Sequence, residues 1–184
     1  MTVQVQPGGR NDMLSRDVDA VLVDVPDFPV VGVLFKDLTP LFGDADLCRR
    51  LVGDIATRHT GGVDVIAGIE ARGFIFGALV AHELGLPFVP IRKQGKLPRA
   101  TYAAAYDLEY GTATVEMHCD AVLRGQRVLL IDDVLATGGT AAAAVGLVKQ
   151  AEAVVTALEV LVEIEALAGR AAVPECEVVA LLTC

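Results

Sequence analysis

The chemically most informative stretch is RVLLIDDVLATGGTAAAAV, which runs from Arg127 to Val145. In it, a turn of small residues follows two adjacent acids. Glycines let such a turn approach a ligand closely, and the first amides of a following helix have no intrahelical partner. Because these amides carry partial positive charge, they favour a phosphate group. The sequence therefore predicts a phosphate-binding turn made of Ala136, Thr137, Gly138, Gly139 and Thr140.

The two acids, Asp132 and Asp133, predict a second contact on the same ligand. Carboxylates would repel a phosphate, so we expect them to accept hydrogen bonds from hydroxyl groups further along the ligand. A phosphate at one end and a diol at the other describe a pentose 5-phosphate. Carboxylates beneath the sugar could also stabilise positive charge that develops at the anomeric carbon. The alternative interpretation is a buried strand with a solvated acidic end and an ordinary helix start.

The elements that must position these residues are those of an α/β fold. Residues 128–131 are uniformly branched and apolar, which predicts a parallel strand buried on both faces, and the alanines from 141 to 144 predict a helix. Residues 63–69 predict a second buried strand, followed by a helix that extends to Gly85. In such a sheet, ligands bind at loops beyond the carboxyl ends of the strands. We therefore expect the loop of residues 70–73 to lie beside the phosphate turn.

A cluster of cations follows the next predicted strand, Pro87 to Ile91. It is unusual in a chain with a net charge of -9. The cluster could be a solvated loop, but four cations on a loop that contains glycine and proline also suit a polyanionic leaving group. Its members are Arg92, Lys93, Lys96 and Arg99.

The composition argues against several classes of protein. A net charge of -9 offers no general attraction for nucleic acid. Apolar residues make up 53% of the chain, yet no apolar run is long enough to span a bilayer. The four cysteines show neither close pairing nor zinc-type spacing, and no secretory signal is apparent. We therefore expect a cytoplasmic protein with reduced thiols that binds neither nucleic acid nor membrane.

The acids and the turn, DDVLATGGT, resemble the signature of the type I phosphoribosyltransferases, which bind phosphoribosyl pyrophosphate. Three further strings, VLFKD, GIEARGFIFGA and RKQGKLP, narrow the resemblance to the adenine phosphoribosyltransferases of that family. The resemblance implies a mainly parallel twisted sheet with helices on both faces and a small hood. It also implies purine salvage, in which adenine and phosphoribosyl pyrophosphate give AMP and pyrophosphate reversibly. Mg²⁺ is expected mainly on the donor rather than in a protein metal site, and a homodimer is expected.

The resemblance assigns the base to one segment and the pyrophosphate to two others. It implies that Phe35 stacks on adenine while the backbone of Leu34 and Lys36 reads the edge of the base. A non-proline cis peptide bond is expected before Ala71, with Arg72 pointing toward the base or the pyrophosphate. The expected pyrophosphate-binding residues are Glu70, Ala71, Arg72, Arg92, Lys93 and Lys96.

Residues 101–122 alternate in polarity, which predicts an antiparallel pair of strands. By the resemblance, this region closes over the reacting centre, and Glu109 exchanges a proton with the five-membered ring of adenine while Tyr110 lies alongside the substrates. A carboxylate shielded by a closing loop would have a raised pKa and could perform this exchange. Together with Arg72, these two residues are the catalytic candidates.

The domain organisation predicted from the sequence is a mobile tail over residues 1–10 and a single domain over residues 11–184. Hood elements are expected at about 26–42, and the flexible catalytic loop with its hairpin at about 94–122. The first helix should carry apolar residues from Leu14 to Val25 and stop at Pro26. One departure from the family pattern is visible: the turn at Ala151 and Glu152 lacks the glycine that many relatives carry.

Two alternatives remain open from the sequence. One is a phosphoribosyltransferase for another purine, such as xanthine or hypoxanthine, although the segment around Phe35 favours adenine. The other is a non-catalytic regulator that senses phosphoribosyl pyrophosphate and binds nucleic acid. That regulator would need a basic surface or a helix-turn-helix, which the acidic residues before the core do not suggest.

Overall fold

The computed structural model of the chain describes residues 12–27, 34–107 and 111–184. The chain divides into two compact units between Asp54 and Ile55. The tail predicted over residues 1–10 lies outside the described residues, and the predicted single domain stays a prediction. None of the helices in these three ranges is both long and apolar enough to cross a membrane.

The first unit contains a small antiparallel sheet and short helices. Its elements are α1 (Asp12–Val21), β1 (Val23–Pro26), β2 (Leu34–Asp37), α2 (Thr39–Gly43) and the beginning of α3 (Ala45–His59). Strands β1 and β2 pair with each other and form a two-stranded sheet. The Asp44 carboxylate accepts hydrogen bonds from the amides of Asp46 and Leu47 at 3.1 and 2.9 Å, so it caps α3.

The prediction that the first helix extends to Val25 is wrong. Helix α1 ends at Val21, and Val25 lies in β1 opposite Phe35 of β2. The apolar spacing continues past the helix, but the β-branched residues of Val23–Pro26 find backbone partners on β2 and form a strand instead. Pro26 ends that strand rather than the helix.

The second unit is built on a 7-stranded sheet with the order β5-β6-β4-β3-β7-β8-β9. Strands β4, β3, β7, β8 and β9 are parallel, and the β5–β6 hairpin continues the sheet in antiparallel orientation. Its elements are β3 (Val65–Ile69), α4 (Gly73–Leu84), β4 (Phe88–Lys93), β5 (Thr101–Asp107), β6 (Thr112–His118), β7 (Arg127–Leu135), α5 (Gly139–Gln150), β8 (Val154–Glu163), two short 3₁₀ helices (Glu165–Leu167 and Gly169–Ala172) and β9 (Val178–Thr183).

Helices cover both faces of this sheet. On one face, Val65 and Ala67 of β3 belong to the same buried apolar cluster as Leu147 of α5. On the other face, α4 packs so closely on β3 that a side chain at Gly68 or Gly77 would meet the ring of Phe88 at 2.8 Å. Since successive residues of a strand point to opposite faces, the two helices lie on opposite sides. The predicted mainly parallel sheet with helices on both faces is therefore confirmed.

Strand β7 extends further than the sequence indicated. The predicted strand ends at Ile131, before the two acids, but β7 continues to Leu135. The extension forms because Val134 and Leu135 pair with Val162 and Glu163 of β8. The two aspartates therefore lie within a strand, where neighbouring side chains point in opposite directions.

Candidate active site

A cavity of about 80 Å³ lies at the carboxyl end of β7 and the beginning of α5. Its wall is formed by Asp132, by residues 134–141, and by Leu158 and Val160 of β8. All the residues predicted to form the phosphate-binding turn, 136–140, contribute to this wall. The position agrees with the rule that open α/β sheets bind ligands beyond the carboxyl ends of their strands.

The turn from Ala136 to Thr140, called the phosphate loop below, depends on Gly138. Its φ of 84° lies in the left-handed region, and a Cβ atom there would lie 2.3 Å from the carbonyl oxygen of Gly169. Helix α5 begins directly afterwards, and its first intrahelical bond joins the Ala142 amide to the Gly138 carbonyl at 2.8 Å. The amides before Ala142 are therefore available to an anion in the cavity.

The structure separates the two aspartates. Asp132 forms part of the cavity wall, and its Oδ1 accepts a hydrogen bond from the Asp133 amide at 2.9 Å. Burial, and then the adjacent charge of Asp133, raise the pKa of Asp132 well above its usual value. Asp133 is only 7% exposed, and its Oδ2 lies 2.6 Å from Nε of Arg72. Asp132 therefore faces the ligand cavity, while Asp133 forms an ion pair with Arg72.

The loop before α4 lies beside Asp132, four residues before the phosphate loop. A Cβ atom at Gly73 would lie 2.6 Å from the carbonyl oxygen of Ile131 and 3.2 Å from Oδ1 of Asp132. Only a glycine therefore lets α4 begin this close to β7. The peptide bond between Glu70 and Ala71 is cis, as the resemblance implies.

Glu70 connects this loop to the basic cluster. Its largely buried carboxylate accepts a hydrogen bond from the Lys93 amide at 2.9 Å and lies 3.4 Å from Arg92 and 3.6 Å from Lys96. Burial opposes ionisation, but the Lys93 amide and the Arg92 guanidinium outweigh it and lower the pKa of Glu70. Of the cations grouped by sequence, Arg99 is separate, because it pairs with Asp120.

Sequence reasoning missed one carboxylate near this cluster. Glu116 of β6 is 8% exposed, and its Oε2 accepts a hydrogen bond from the Gly95 amide at 3.0 Å. The sequence did contain a signal, because Glu116 stands between two apolar residues, Val115 and Met117, which the structure buries. Arg92 and Lys93 lie at the end of β4 rather than on the predicted loop. Glu70 binds the Lys93 amide at this strand end, and Glu116 binds the Gly95 amide in the turn that follows.

The β5–β6 hairpin reaches the phosphate loop. A Cβ atom at Gly139 would lie 3.2 Å from the carbonyl oxygen of Asp107 and 3.2 Å from Cδ2 of Tyr106. Asp107 is the last described residue of β5. Glu109 and Tyr110 follow it but lie outside the described residues, so their catalytic roles stay predictions.

The predicted adenine segment lies in β2 of the first unit. The backbone of Leu34 pairs with Pro26, and Phe35 pairs with Val25. Lys36 lies 3.0 Å from Asp24 and 3.3 Å from Asp19, and these contacts, led by the hydrogen bond to Asp24, raise the pKa of Lys36. The contacts of these residues with a base stay predictions.

Comparison with known proteins decides the family. The family model of the phosphoribosyl transferase domain matches residues 43–177 of this chain. The adenine phosphoribosyltransferase of Thermobifida fusca is 53% identical over 171 residues, which cover 92% of this chain and 97% of that protein. This chain belongs to the adenine phosphoribosyltransferase family. The predicted family is therefore confirmed.

Solved structures of the family share the fold. The adenine phosphoribosyltransferase of Thermoanaerobacter pseudethanolicus is 42% identical, with a TM-score of 0.89 over 92% of this chain and 99% of its own. The enzyme of Saccharomyces cerevisiae is 36% identical, with a TM-score of 0.90 over 93% of this chain and 99% of its own. The yeast structure contains adenine and an imino-altritol bisphosphate.

Proposed function

We propose that this protein transfers the phosphoribosyl group of phosphoribosyl pyrophosphate to adenine and releases AMP and pyrophosphate. It is thus a pentosyltransferase of purine salvage. The observation that carries the proposal is the cavity that joins the phosphate loop to Asp132, in a chain about 50% identical to named adenine phosphoribosyltransferases. The site contains the two groups that a pentose 5-phosphate requires: unpaired amides at a helix start and a carboxylate nearby.

The 5-phosphate is bound by the amides of the phosphate loop and the hydroxyls of Thr137 and Thr140. Asp132 accepts hydrogen bonds from the ribose hydroxyls and, when ionised, stabilises the positive charge that develops at the anomeric carbon. In this arrangement Asp133 acts through Arg72: the ion pair at 2.6 Å holds the guanidinium beside the site. Asp132 therefore acts on the sugar as part of the cavity wall, whereas Asp133 acts only through Arg72.

The pyrophosphate is bound by the loop of residues 70–73 and by Arg92, Lys93 and Lys96. Support comes from Glu70, which joins the two loops through the Lys93 amide and the two cationic side chains. Because its pKa is lowered, Glu70 stays ionised near neutral pH and keeps the cations in place. Pyrophosphate then binds to cations that are already positioned.

Adenine is bound by the β2 segment, with Phe35 on the face of the base and the backbone of Leu34 and Lys36 at its edge. Glu109 accepts the proton that adenine loses as its ring nitrogen bonds to the anomeric carbon, and Tyr110 lies alongside the substrates. The position of the hairpin supports this, because Asp107, two residues before Glu109, contacts the start of α5. Closure of the hairpin would exclude water, which would otherwise hydrolyse the donor.

When bound, Mg²⁺ would supply positive charge to the pyrophosphate leaving group. It prefers oxygen ligands and retains water, so the oxygens of phosphoribosyl pyrophosphate are its main ligands. Asp132 is the carboxylate that the cavity offers to the ribose end of such a complex.

The protein is proposed to act as a cytoplasmic homodimer. On α4, the apolar side chains of Ile75 and Leu79 are 42% and 40% exposed, one turn apart, which suits burial against a second copy. All four cysteines are unpaired, which suits a reducing compartment. Sedimentation at several concentrations tests the dimer.

The function is tested with purified protein, Mg²⁺, phosphoribosyl pyrophosphate and a panel of adenine, hypoxanthine and xanthine. We expect AMP and pyrophosphate from adenine, with much lower turnover of the other bases. Preferred turnover of hypoxanthine or xanthine would contradict the base assignment. Donor binding without any nucleotide product would contradict catalysis and support a regulator.

A further inference from the structure

The phosphate loop is in backbone contact with a segment that follows β8. A Cβ atom at Gly169 would lie 2.2 Å from the carbonyl oxygen of Ala136, and one at Gly138 would lie 2.3 Å from the carbonyl oxygen of Gly169. The two backbones therefore touch at the first and the middle residue of the turn without space for a methyl group. A displacement of Gly169 must displace the phosphate loop.

An ion pair holds this segment. Arg170, the neighbour of Gly169, donates from Nε and Nη2 to the two carboxylate oxygens of Glu163 at 2.6 and 2.7 Å. Its Nη1 donates to the carbonyl of Val178 on β9 at 2.6 Å. Glu163 is 6% exposed and pairs in the sheet with Leu135, the residue before the phosphate loop. One guanidinium thus joins the segment to β8 and β9.

We propose that Glu163 and Arg170 are positioning residues, which hold Gly169 against Ala136 and Gly138 and thereby fix the phosphate loop in the shape that receives the 5-phosphate. The proposal rests on the proposed function, because it concerns the same phosphate site. A bidentate guanidinium–carboxylate pair suits this role, since it fixes orientation as well as distance. Neither residue contacts the ligand, because both act through Gly169.

The chain contains a matched control at the other end of the sheet. Arg127, at the start of β7, donates from Nε and Nη2 to the two carboxylate oxygens of Asp64 at 3.1 and 2.7 Å. Its Nη1 donates to the carbonyl of Gly61 at 3.0 Å. The side chains of Arg170 and Arg127 are 46% and 44% exposed. The two arginines make the same set of bonds, but Arg127 lies at the end of β7 opposite the cavity.

The test compares Arg170→Lys with Arg127→Lys. Lysine keeps the charge but cannot make the bidentate contact and the carbonyl contact together. We expect Arg170→Lys to raise KM for phosphoribosyl pyrophosphate and Kd for ribose 5-phosphate at least about tenfold, because a shift of about 1 Å at a site can cost about 10²-fold in rate. KM for adenine should stay within about twofold. Arg127→Lys should leave all three constants unchanged at a temperature where both variants are folded.

The outcomes separate this inference from the proposed function. A wild-type protein that forms no AMP contradicts the function. An active wild type whose Arg170→Lys variant binds ribose 5-phosphate normally, or loses affinity for adenine and donor equally, contradicts the inference alone. A second pair of variants gives an independent answer: Gly169→Ala should weaken ribose 5-phosphate binding, while Gly146→Ala should not, because a Cβ atom there meets nothing within 4 Å. If Gly169→Ala and Gly146→Ala bind ribose 5-phosphate with equal affinity, the inference is also overturned.

Discussion

The same substitution at the two adjacent aspartates should change stability in opposite directions. Asp132→Asn removes a charge whose pKa in the folded protein is raised above the usual 3.8 by burial and by Asp133. A raised carboxylate pKa means that the folded state holds its proton more tightly than the unfolded chain does, so stability falls as pH rises above 3.8. Asparagine avoids this loss and can still accept the hydrogen bond from the Asp133 amide. We therefore expect Asp132→Asn to stabilise the ligand-free protein by roughly 1 kcal/mol at neutral pH.

Asp133→Asn should destabilise the protein. The Asp133 carboxylate is 7% exposed and lies 2.6 Å from the Arg72 guanidinium. Removing one partner of a fully buried pair costs about 3–5 kcal/mol because the other charge is left uncompensated. Since the Arg72 side chain is 33% exposed, water replaces part of the lost interaction, and we expect a loss of about 1–3 kcal/mol.

Thermal unfolding of the two ligand-free variants and the wild type between pH 4 and pH 8 measures the difference. The two variants should differ by about 2–4 kcal/mol at pH 7, and each kcal/mol corresponds to about 2–4 °C in Tm for a domain of this size. The gain from Asp132→Asn should shrink as pH falls toward 4, because the raised pKa makes ionisation of the buried carboxylate less costly to stability at lower pH. AMP formation by Asp132→Asn should fall at least about 10²-fold, because a pre-organised charge at the sugar is lost.

Two results would refute this reasoning. If both variants lose stability equally, the structural separation of the two acids is incorrect. If Asp132→Asn is more stable than the wild type yet fully active, the Asp132 carboxylate is buried as described but does not act on the sugar. Reduced activity together with increased stability is expected for a residue whose position serves ligand binding rather than folding.

Two further predictions concern Glu109 and Glu152. Glu109→Gln should lower kcat more than it raises KM for adenine, and stopped-flow measurement of AMP formation across pH tests this; equal activity at every pH would remove the acid–base role. Glu152→Gly should leave stability unchanged or raise it by up to about 1 kcal/mol, because Glu152 has a φ of 55°, where a side chain costs about 1–2 kcal/mol. Its ion pair with Arg124 is largely exposed and contributes little. If calorimetry shows that Glu152→Gly is less stable than the wild type, the backbone of Glu152 is not strained.

Sequence reasoning was most successful where the determinants are local. The phosphate loop and α5 follow from consecutive residues: an apolar strand, a glycine turn and an alanine-rich helix start. The missing glycine at the turn after α5 is also a local signal, and the structure places Glu152 there in the left-handed conformation that glycine adopts easily. These features need no information about distant parts of the chain.

The predictions were weaker where pairing between distant segments decides the result. The end of α1 depends on β2, which lies beyond it in sequence, and the extension of β7 depends on β8. The extension matters most, because it separates two acids that were predicted to bind the sugar together. Asp132 forms part of the cavity wall, whereas Asp133 pairs with Arg72. The contacts of Glu70 and Glu116 join residues more than 20 positions apart, which no local pattern reveals.

The acidic composition of the chain is compatible with a polyanionic substrate because acids near the site are compensated locally. Glu70 is matched by Arg92, Lys96 and the Lys93 amide. Asp133 is matched by Arg72 and Glu163 by Arg170. Each pair neutralises a carboxylate and at the same time fixes a cation or a loop that is proposed to bind the substrate. The net charge of -9 therefore does not set the potential at the cavity, where the described wall offers the amides at the start of α5 and, as its one carboxylate, Asp132.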